Sequence, residues 1–260
     1  MEKLTIVKIG GDIIDHKEKR DEIIKSFSQY PGKKILVHGG GKLATSLGEK
    51  MGIKAKLVDG RRITDKPMLD IVTMVYGGSI NGELTAELVS NGLDAIGLKG
   101  ADGNIFNAHK RPIKEIDYGW VGDIDKVDGA KLSHLLEAGF TPVIAPLTHD
   151  GAGHLLNTNG DTMASMIAIA MSPFFEVSLF YVFKMPGVLL DAEDSSSIIS
   201  RLDEENFLKL KGKGAIHGGM IPKLSTGFTA KNSGVSQVKI CGDLPLLDLI
   251  ENPETGTTLL

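Results

Sequence analysis

The feature that most constrains this chain is a pattern set at its start: a short strand, apolar on both faces, that runs into glycines and then into a helix. Leu4 and Ile6 point to one face of that strand and Val7 and Ile9 to the other, so both faces demand cover. A strand of this kind belongs in a parallel sheet with helices on both sides. Lys8 stands near its carboxyl end, followed by Gly10 and Gly11. Ligands of open α/β sheets bind beyond those ends, where residues without side chains let backbone N–H groups approach an oxyanion. The stretch reads as an anion site or as a lysine passing the sheet edge before a glycine turn.

The pattern recurs one step later. A short apolar strand over 34–38 runs into Gly39-Gly40-Gly41-Lys42, and 43–51 reads as a helix. Unpaired N–H groups at the positive end of a helix dipole make such a turn a phosphate cradle. A P-loop is excluded, because Leu43 stands where Ser or Thr is required and Leu36 where Gly is required. The dinucleotide pattern G-x-G-x-x-A is met by Gly39, Gly41 and Ala44, with Asp59 downstream. It sits on the second strand, however, and Asp59 leads directly into Gly60-Arg61-Arg62 instead of closing a strand.

Composition narrows the function classes. A formal charge of -4 and a pI near 6.0 exclude a dedicated nucleic-acid surface, which needs a basic face. Cys241 is the single cysteine, so neither an internal disulfide nor a cysteine-rich metal site can form. No signal peptide precedes the first strand and no apolar run is long enough to cross a bilayer, so a cytoplasmic protein acting on small molecules is expected.

Further along, the spacing predicts a helix over 16–30, a helical stretch over 65–91 broken at Gly77-Gly78, a strand over 94–98 and a hairpin within 112–127. A helix over 131–138 and a strand over 142–147 lead to a polar loop over 155–161 and a helix over 162–171. Strands over 176–183 and 235–241, the latter the last, flank helices over 203–210 and 222–231. Arg61 or Arg62 is a candidate for a carboxylate, since a guanidinium fork binds one bidentately. Asn159 or Asp161 can cap the helix that follows. Lys223, in a first turn beside Pro222, opposes the helix dipole, as it would if it faced an anion. His149, Asp150 and His154 are irregularly spaced on a loop and do not make a metal site.

Five segments in order, Lys8-Ile9-Gly10-Gly11, His38-Gly39-Gly40-Gly41, Gly60-Arg61-Arg62-Ile63-Thr64, Asn157-Thr158-Asn159-Gly160-Asp161 and Gly219-Met220-Ile221-Pro222-Lys223, resemble the amino acid kinase family, and within it the enzymes acting on N-acetyl-L-glutamate. The resemblance covers nearly the whole chain. It implies a three-layer α/β/α sandwich around a largely parallel sheet, with residues 1–172 as the lobe for the acyl amino acid and 173–260 as the nucleotide lobe. The implied reaction is phosphorylation of the side-chain carboxylate of N-acetyl-L-glutamate by ATP with Mg²⁺. Lys8, Lys223 and Asp161 are the implied catalytic residues, and Gly40, Gly41, Arg62 and Asn157 the implied substrate-binding ones. Gly10, Gly11, Lys184, Gly187 and Gly219 are implied on the nucleotide side.

Two departures qualify the resemblance. Phe183-Lys184-Met185-Pro186-Gly187 stands where many relatives have Thr/Ser-Asp-Val-Pro-Gly, and Asn81-Gly82 where Asn-Lys is common. The extra N-terminal helix of arginine-inhibited hexameric relatives is missing, which implies an arginine-insensitive homodimer. N-succinyl-L-glutamate or another acceptor of the family, a non-catalytic nucleotide or amino-acid sensor, and a dinucleotide-dependent oxidoreductase are the competing readings.

Overall fold

The computed structural model describes residues 1–58, 60–191, 193–252 and 254–260, so Asp59 of the dinucleotide pattern lies outside the described residues. β1 (Lys3–Ile9) passes through a single helical turn, α1 (Gly11–Ile14), into α2 (Lys17–Gln29), which buries Ile23, Ile24 and Phe27. β2 (Lys33–His38) and α3 (Gly41–Lys50) repeat the step, and a hairpin of β3 (Lys56–Val58) and β4 (Arg61–Ile63) follows.

The glycine pair at 77–78 does not break the next helical stretch. It continues as α4 (Lys66–Val72), a π-helical segment over Thr73–Ile80 and α5 (Asn81–Ser90). Gly77 serves close packing instead, because a Cβ there would lie 2.9 Å from the Lys99 side chain and 3.2 Å from that of Leu147.

After β5 (Ala95–Leu98), β6 (Phe106–Lys110) pairs antiparallel with β7 (Gly122–Val127). The predicted hairpin therefore exists with a different first strand, and Pro112, which has no N–H for a ladder, lies in the connection. Beyond α6 (Gly129–Glu137), the expected strand over 142–147 divides at Ala145-Pro146 into β8 (Thr141–Ile144) and β9 (Leu147–His149), which belong to different sheets. β10 (Leu155–Asn157), read from the sequence as loop, pairs antiparallel with β9.

α7 (Gly160–Met171), β11 (Glu176–Val182), β12 (Arg201–Leu202), α8 (Glu204–Gly212), α9 (Met220–Asn232), β13 (Gln237–Cys241) and α10 (Leu246–Glu251) complete the alternation. β14 (Thr257–Leu259), in the tail, rather than β13 is the last strand; it pairs antiparallel with β13 and parallel with β12. Its three-residue length hid it from any periodicity argument.

Eight strands form the main sheet in the order β12-β14-β13-β11-β1-β2-β8-β5, parallel except at β13–β14. β1 lies near the middle, and its alternation divides the core as its sequence demands. Leu4 and Ile6 join Leu132, Ile167, Leu224 and Phe228 on one side. Val7 and Ile9 join Ile23, Phe27, Ile71 and Leu84 on the other. The result is an α/β/α sandwich with a smaller sheet, β10-β9-β6-β7. Among the described residues no helix is long and apolar enough to cross a membrane.

Candidate active site

Three elements converge beyond the carboxyl end of β1. Lys8 emerges from that strand, Asp161 from the first turn of α7 and Lys223 from the first turn of α9. Lys8 Nζ lies 2.6 Å from Asp161 Oδ1, and Lys223 Nζ donates to Asp161 Oδ2 at 3.0 Å. Asn159 caps α7, its Oδ1 accepting from the N–H groups of Asp161 (2.9 Å) and Thr162 (3.0 Å). That cap leaves the Asp161 carboxylate free for the two ammonium groups. Burial opposes its ionisation, yet Lys8 and Lys223 outweigh burial and pull the carboxyl down to about 2.

The two glycine turns pack against each other beside this triad. A Cβ on Gly11 would lie 3.2 Å from the Gly40 nitrogen and 3.3 Å from that of Gly41, and one on Gly39 would lie 3.0 Å from the Gly11 nitrogen. Side chains would separate these N–H groups; their absence lets the groups converge. Gly40 has φ +150° and no room for a Cβ, which would meet Ile80 Cδ1 at 2.2 Å. Behind the turn, buried His38 has Nδ1 2.8 Å from the Gly39 carbonyl and Nε2 3.2 Å from Asn81 Nδ2, and Asn81 also donates to the Val143 carbonyl at 2.9 Å. This arrangement requires neutral imidazole with the proton on Nδ1. Burial, opposed by the Gly39 hydrogen bond and aided by Lys8, pushes His38 down to about 4.

Lys8, Gly11, Gly40, Gly41, Arg62, Asn157, Asp161 and Lys223 all line one cavity of about 230 Å³. Arg62 is buried, its NH2 donating to the Gly41 carbonyl (2.7 Å) and to Thr45 Oγ1 (2.8 Å). Both forks of a guanidinium run through NH2, so in this arrangement Arg62 offers a carboxylate single donors instead of the bidentate grip expected from sequence. Asn157 Nδ2 donates to Thr64 Oγ1 at 2.9 Å.

The same cavity holds two residues that sequence reasoning missed, Tyr76 and Arg111. Tyr76 comes from the π-helical segment and faces Arg62. Arg111 forks onto Asp123 through Nε (3.0 Å) and NH2 (2.5 Å), while its buried NH1 has no hydrogen-bond partner among the described residues. No local signal marks either one; a π turn and a long hairpin connection place them.

A second cavity, of about 380 Å³, opens on the other side of Lys223, which lines both. Phe183, Met185, Val188, Leu189 and Ile216 give it apolar walls, and Asp12 and Gly219 also line it. Gly10, Lys184 and Gly187 line neither cavity. Gly10 donates its N–H to the Val182 carbonyl at 2.9 Å, Lys184 is exposed, and Gly187 is buried where a Cβ would lie 3.0 Å from Thr257 Oγ1.

Comparison with known proteins agrees with this geometry. The chain is 53% identical to the acetylglutamate kinase of Cytophaga hutchinsonii, over 100% of this chain and 99% of that one. It is 48% identical to the acetylglutamate kinase of Bacteroides fragilis, over 92% of each chain. A crystal structure from Streptococcus mutans shares the fold with a TM-score of 0.81 at 24% identity, covering 98% of both chains. Residues 3–242 match the Amino acid kinase family. With its sheet, its paired glycine turns and its two-lysine carboxylate centre, the chain belongs to the amino acid kinase family.

Proposed function

We propose that this chain transfers the γ-phosphoryl group of ATP to the side-chain carboxylate of N-acetyl-L-glutamate, giving N-acetyl-L-glutamyl 5-phosphate, a step of arginine biosynthesis. The observation that carries this reading is the meeting of a cationic and an apolar cavity at Lys223, beside Lys8 and Asp161. Residues 1–172 supply nearly all of the first cavity and residues 173–260 nearly all of the second, which supports the assignment of an acyl amino acid lobe and a nucleotide lobe. The enzyme would work in the cytoplasm as a homodimer with small molecules as its partners.

The chemistry asks little of acid–base groups. A side-chain carboxylate with a pKa of roughly 4 is already an ionised nucleophile at neutral pH. Its oxygen attacks the γ-phosphorus while the bond to the β-phosphate oxygen breaks, and ADP leaves without a proton transfer. What limits the reaction is repulsion between two anions, so in-line transfer rests on positioning and positive charge. Lys8 and Lys223 supply that charge, held apart and aimed by Asp161. The N–H groups of Gly11, Gly40 and Gly41 would receive phosphoryl oxygens, and Arg62 and Asn157 the amino-acid end. Among the described residues, the carboxylates on the two cavity walls are Asp161, committed to two lysines, and Asp12, which accepts the Lys184 N–H, so Mg²⁺ would ride on the nucleotide's phosphate oxygens, neutralising part of their charge.

Arg111 favours a second reading. N-acetyl-L-glutamate carries two carboxylates, one of them the nucleophile, whereas the cavity offers Arg61, Arg62 and Arg111 besides the two lysines. This surplus of cations along the cavity would suit the third carboxylate of N-succinyl-L-glutamate. Trapping the acyl phosphate with hydroxylamine, using MgATP and each acceptor in turn, tests both readings. A hydroxamate from one N-acyl glutamate identifies the reaction and the acyl group together. Nucleotide binding without hydroxamate from any acceptor would replace the enzyme with a sensor.

A further inference from the structure

We propose that Asp12 is a positioning residue that latches the nucleotide loop over 183–187 onto the glycine turn at the end of β1. This rests on reading the apolar cavity as the nucleotide site. Asp12 Oδ2 accepts a hydrogen bond from the backbone N–H of Lys184 at 2.9 Å, joining residues 172 positions apart in the chain. The contact falls where the loop leaves the sheet. Phe183 is the last residue held in strand fashion, its N–H donating to the Cys241 carbonyl at 3.1 Å. Beyond Lys184, the next N–H anchor among the described residues is that of Val188, on Thr257 Oγ1 at 2.8 Å. Between these points Pro186 has no N–H to give. Asp12 thus holds the start of a segment whose Phe183 and Met185 form part of the cavity wall.

The packing around the latch ties it to the phosphoryl site. A Cβ on Gly10 would lie 2.2 Å from Asp12 Oδ1 and 3.4 Å from Phe183 Cβ, so a side chain there would have to displace the Asp12 carboxylate from its place beside the loop. Gly11, the next residue, is the one whose backbone meets the second glycine turn. A shift of the loop is therefore a shift of the nucleotide wall relative to the N–H groups that would receive its phosphates. The latch also gives the Lys184 departure a physical content. Lys184 contributes its main-chain N–H to Asp12 while its side chain is exposed, so the contact does not depend on the charge that stands at that position.

Calorimetric titration with the non-hydrolysable analogue AMP-PNP, together with KM values for ATP and the acyl amino acid, tests the latch in the full chain. A hydrogen bond to a charged acceptor is worth enough that Asp12→Ala should weaken AMP-PNP binding and raise the ATP KM by about tenfold. The acyl amino acid KM should move less than about twofold, since that cavity does not include Asp12. Asp12→Asn keeps an oxygen to accept the same N–H and should recover most of the loss. Asp12→Glu keeps the charge but displaces the acceptor by one methylene, and should bind AMP-PNP several-fold more weakly even if the alanine variant does not fold. Unchanged AMP-PNP binding in Asp12→Ala or Asp12→Glu, equal damage in Asp12→Asn and Asp12→Ala, or parallel rises in both KM values would each overturn the latch. Failure of the unaltered chain to bind AMP-PNP would remove the nucleotide reading and the latch with it.

Discussion

The two cavities that meet at Lys223 are built on opposite principles. The first is walled by backbone N–H groups, arginines and the Lys8–Asp161–Lys223 centre, so its selectivity comes from charge and hydrogen-bond geometry. The second is walled by Phe183, Met185, Val188, Leu189 and Ile216, a surface suited to a flat apolar ring, with Asp12, His217 and Lys223 as its polar side chains. Charged walls must be held in place by other charges and caps, whereas apolar walls are held by the core they belong to. The difference predicts that damage to the first cavity appears in catalysis and acceptor binding, and damage to the second in nucleotide binding and stability.

The largest effect should come from the centre itself. Asp161→Ala leaves two ammonium groups without the carboxylate that separates and aims them, and should reduce the hydroxamate rate by roughly a thousandfold or more. Lys223→Ala should lower kcat by about a hundredfold or more, with a much smaller change in acceptor KM. An unchanged kcat would take Lys223 out of the mechanism and dissolve the idea that the cavities share it. Next in size, Arg62→Ala should raise the acceptor KM by about tenfold or more while sparing the nucleotide. A rise confined to the ATP KM would reverse the assignment of the two cavities.

Truncating the apolar wall tests the other half of the comparison. Ile216 is buried in the core as well as lining the second cavity. Ile216→Ala should cost roughly 2–4 kcal/mol in a denaturant titration and raise the ATP KM a few-fold, leaving the acceptor KM unchanged.

The smallest effect is one of pH. His38, lowered to about 4 by burial, binds its proton more weakly folded than unfolded, where its pKa is roughly 6.5. Its support for the glycine turn is therefore fully present above about pH 6.5 and lost as pH falls towards 4, with an upper limit of about 3 kcal/mol. Asp161, also lowered, adds stability that is present above about pH 4 and lost as pH falls towards 2. Urea titrations across this range should show two successive losses, and His38→Gln should flatten the first.

How far the site could be read in advance depended on how local each signal was. The glycine turns, Lys8 and Lys223 were legible because a lysine beside glycines at a strand end, or in a helix first turn, is anomalous within a few residues, whereas the role of Asp161 came only from the family resemblance, an acidic residue in a helix first turn being ordinary. The rival reading of Asp161 as a cap was resolved only when Asn159 took that role. Tyr76 was hidden because a π-helical segment shifts the face a residue presents, and Gly77-Gly78 signalled a break that packing against Leu147 does not require. Arg111 was hidden because the hairpin was placed on 112–127 and not on β6 and β7.

By itself, the sequence determined the layers of this protein. Strands apolar on both faces and alternating with helices can bury themselves in few other ways, so the sandwich, the order of its main elements and the position of the glycine turns follow from residues near in the chain. Tertiary structure alone decided which distant groups meet. The sharing of Asp161 between Lys8 and Lys223, the occupation of both Arg62 NH2 hydrogens by the glycine turn and its neighbour, and the reach of Asp12 to Lys184 depend on contacts between elements. Periodicity constrains which face of an element is buried; it carries no information about what that face will touch.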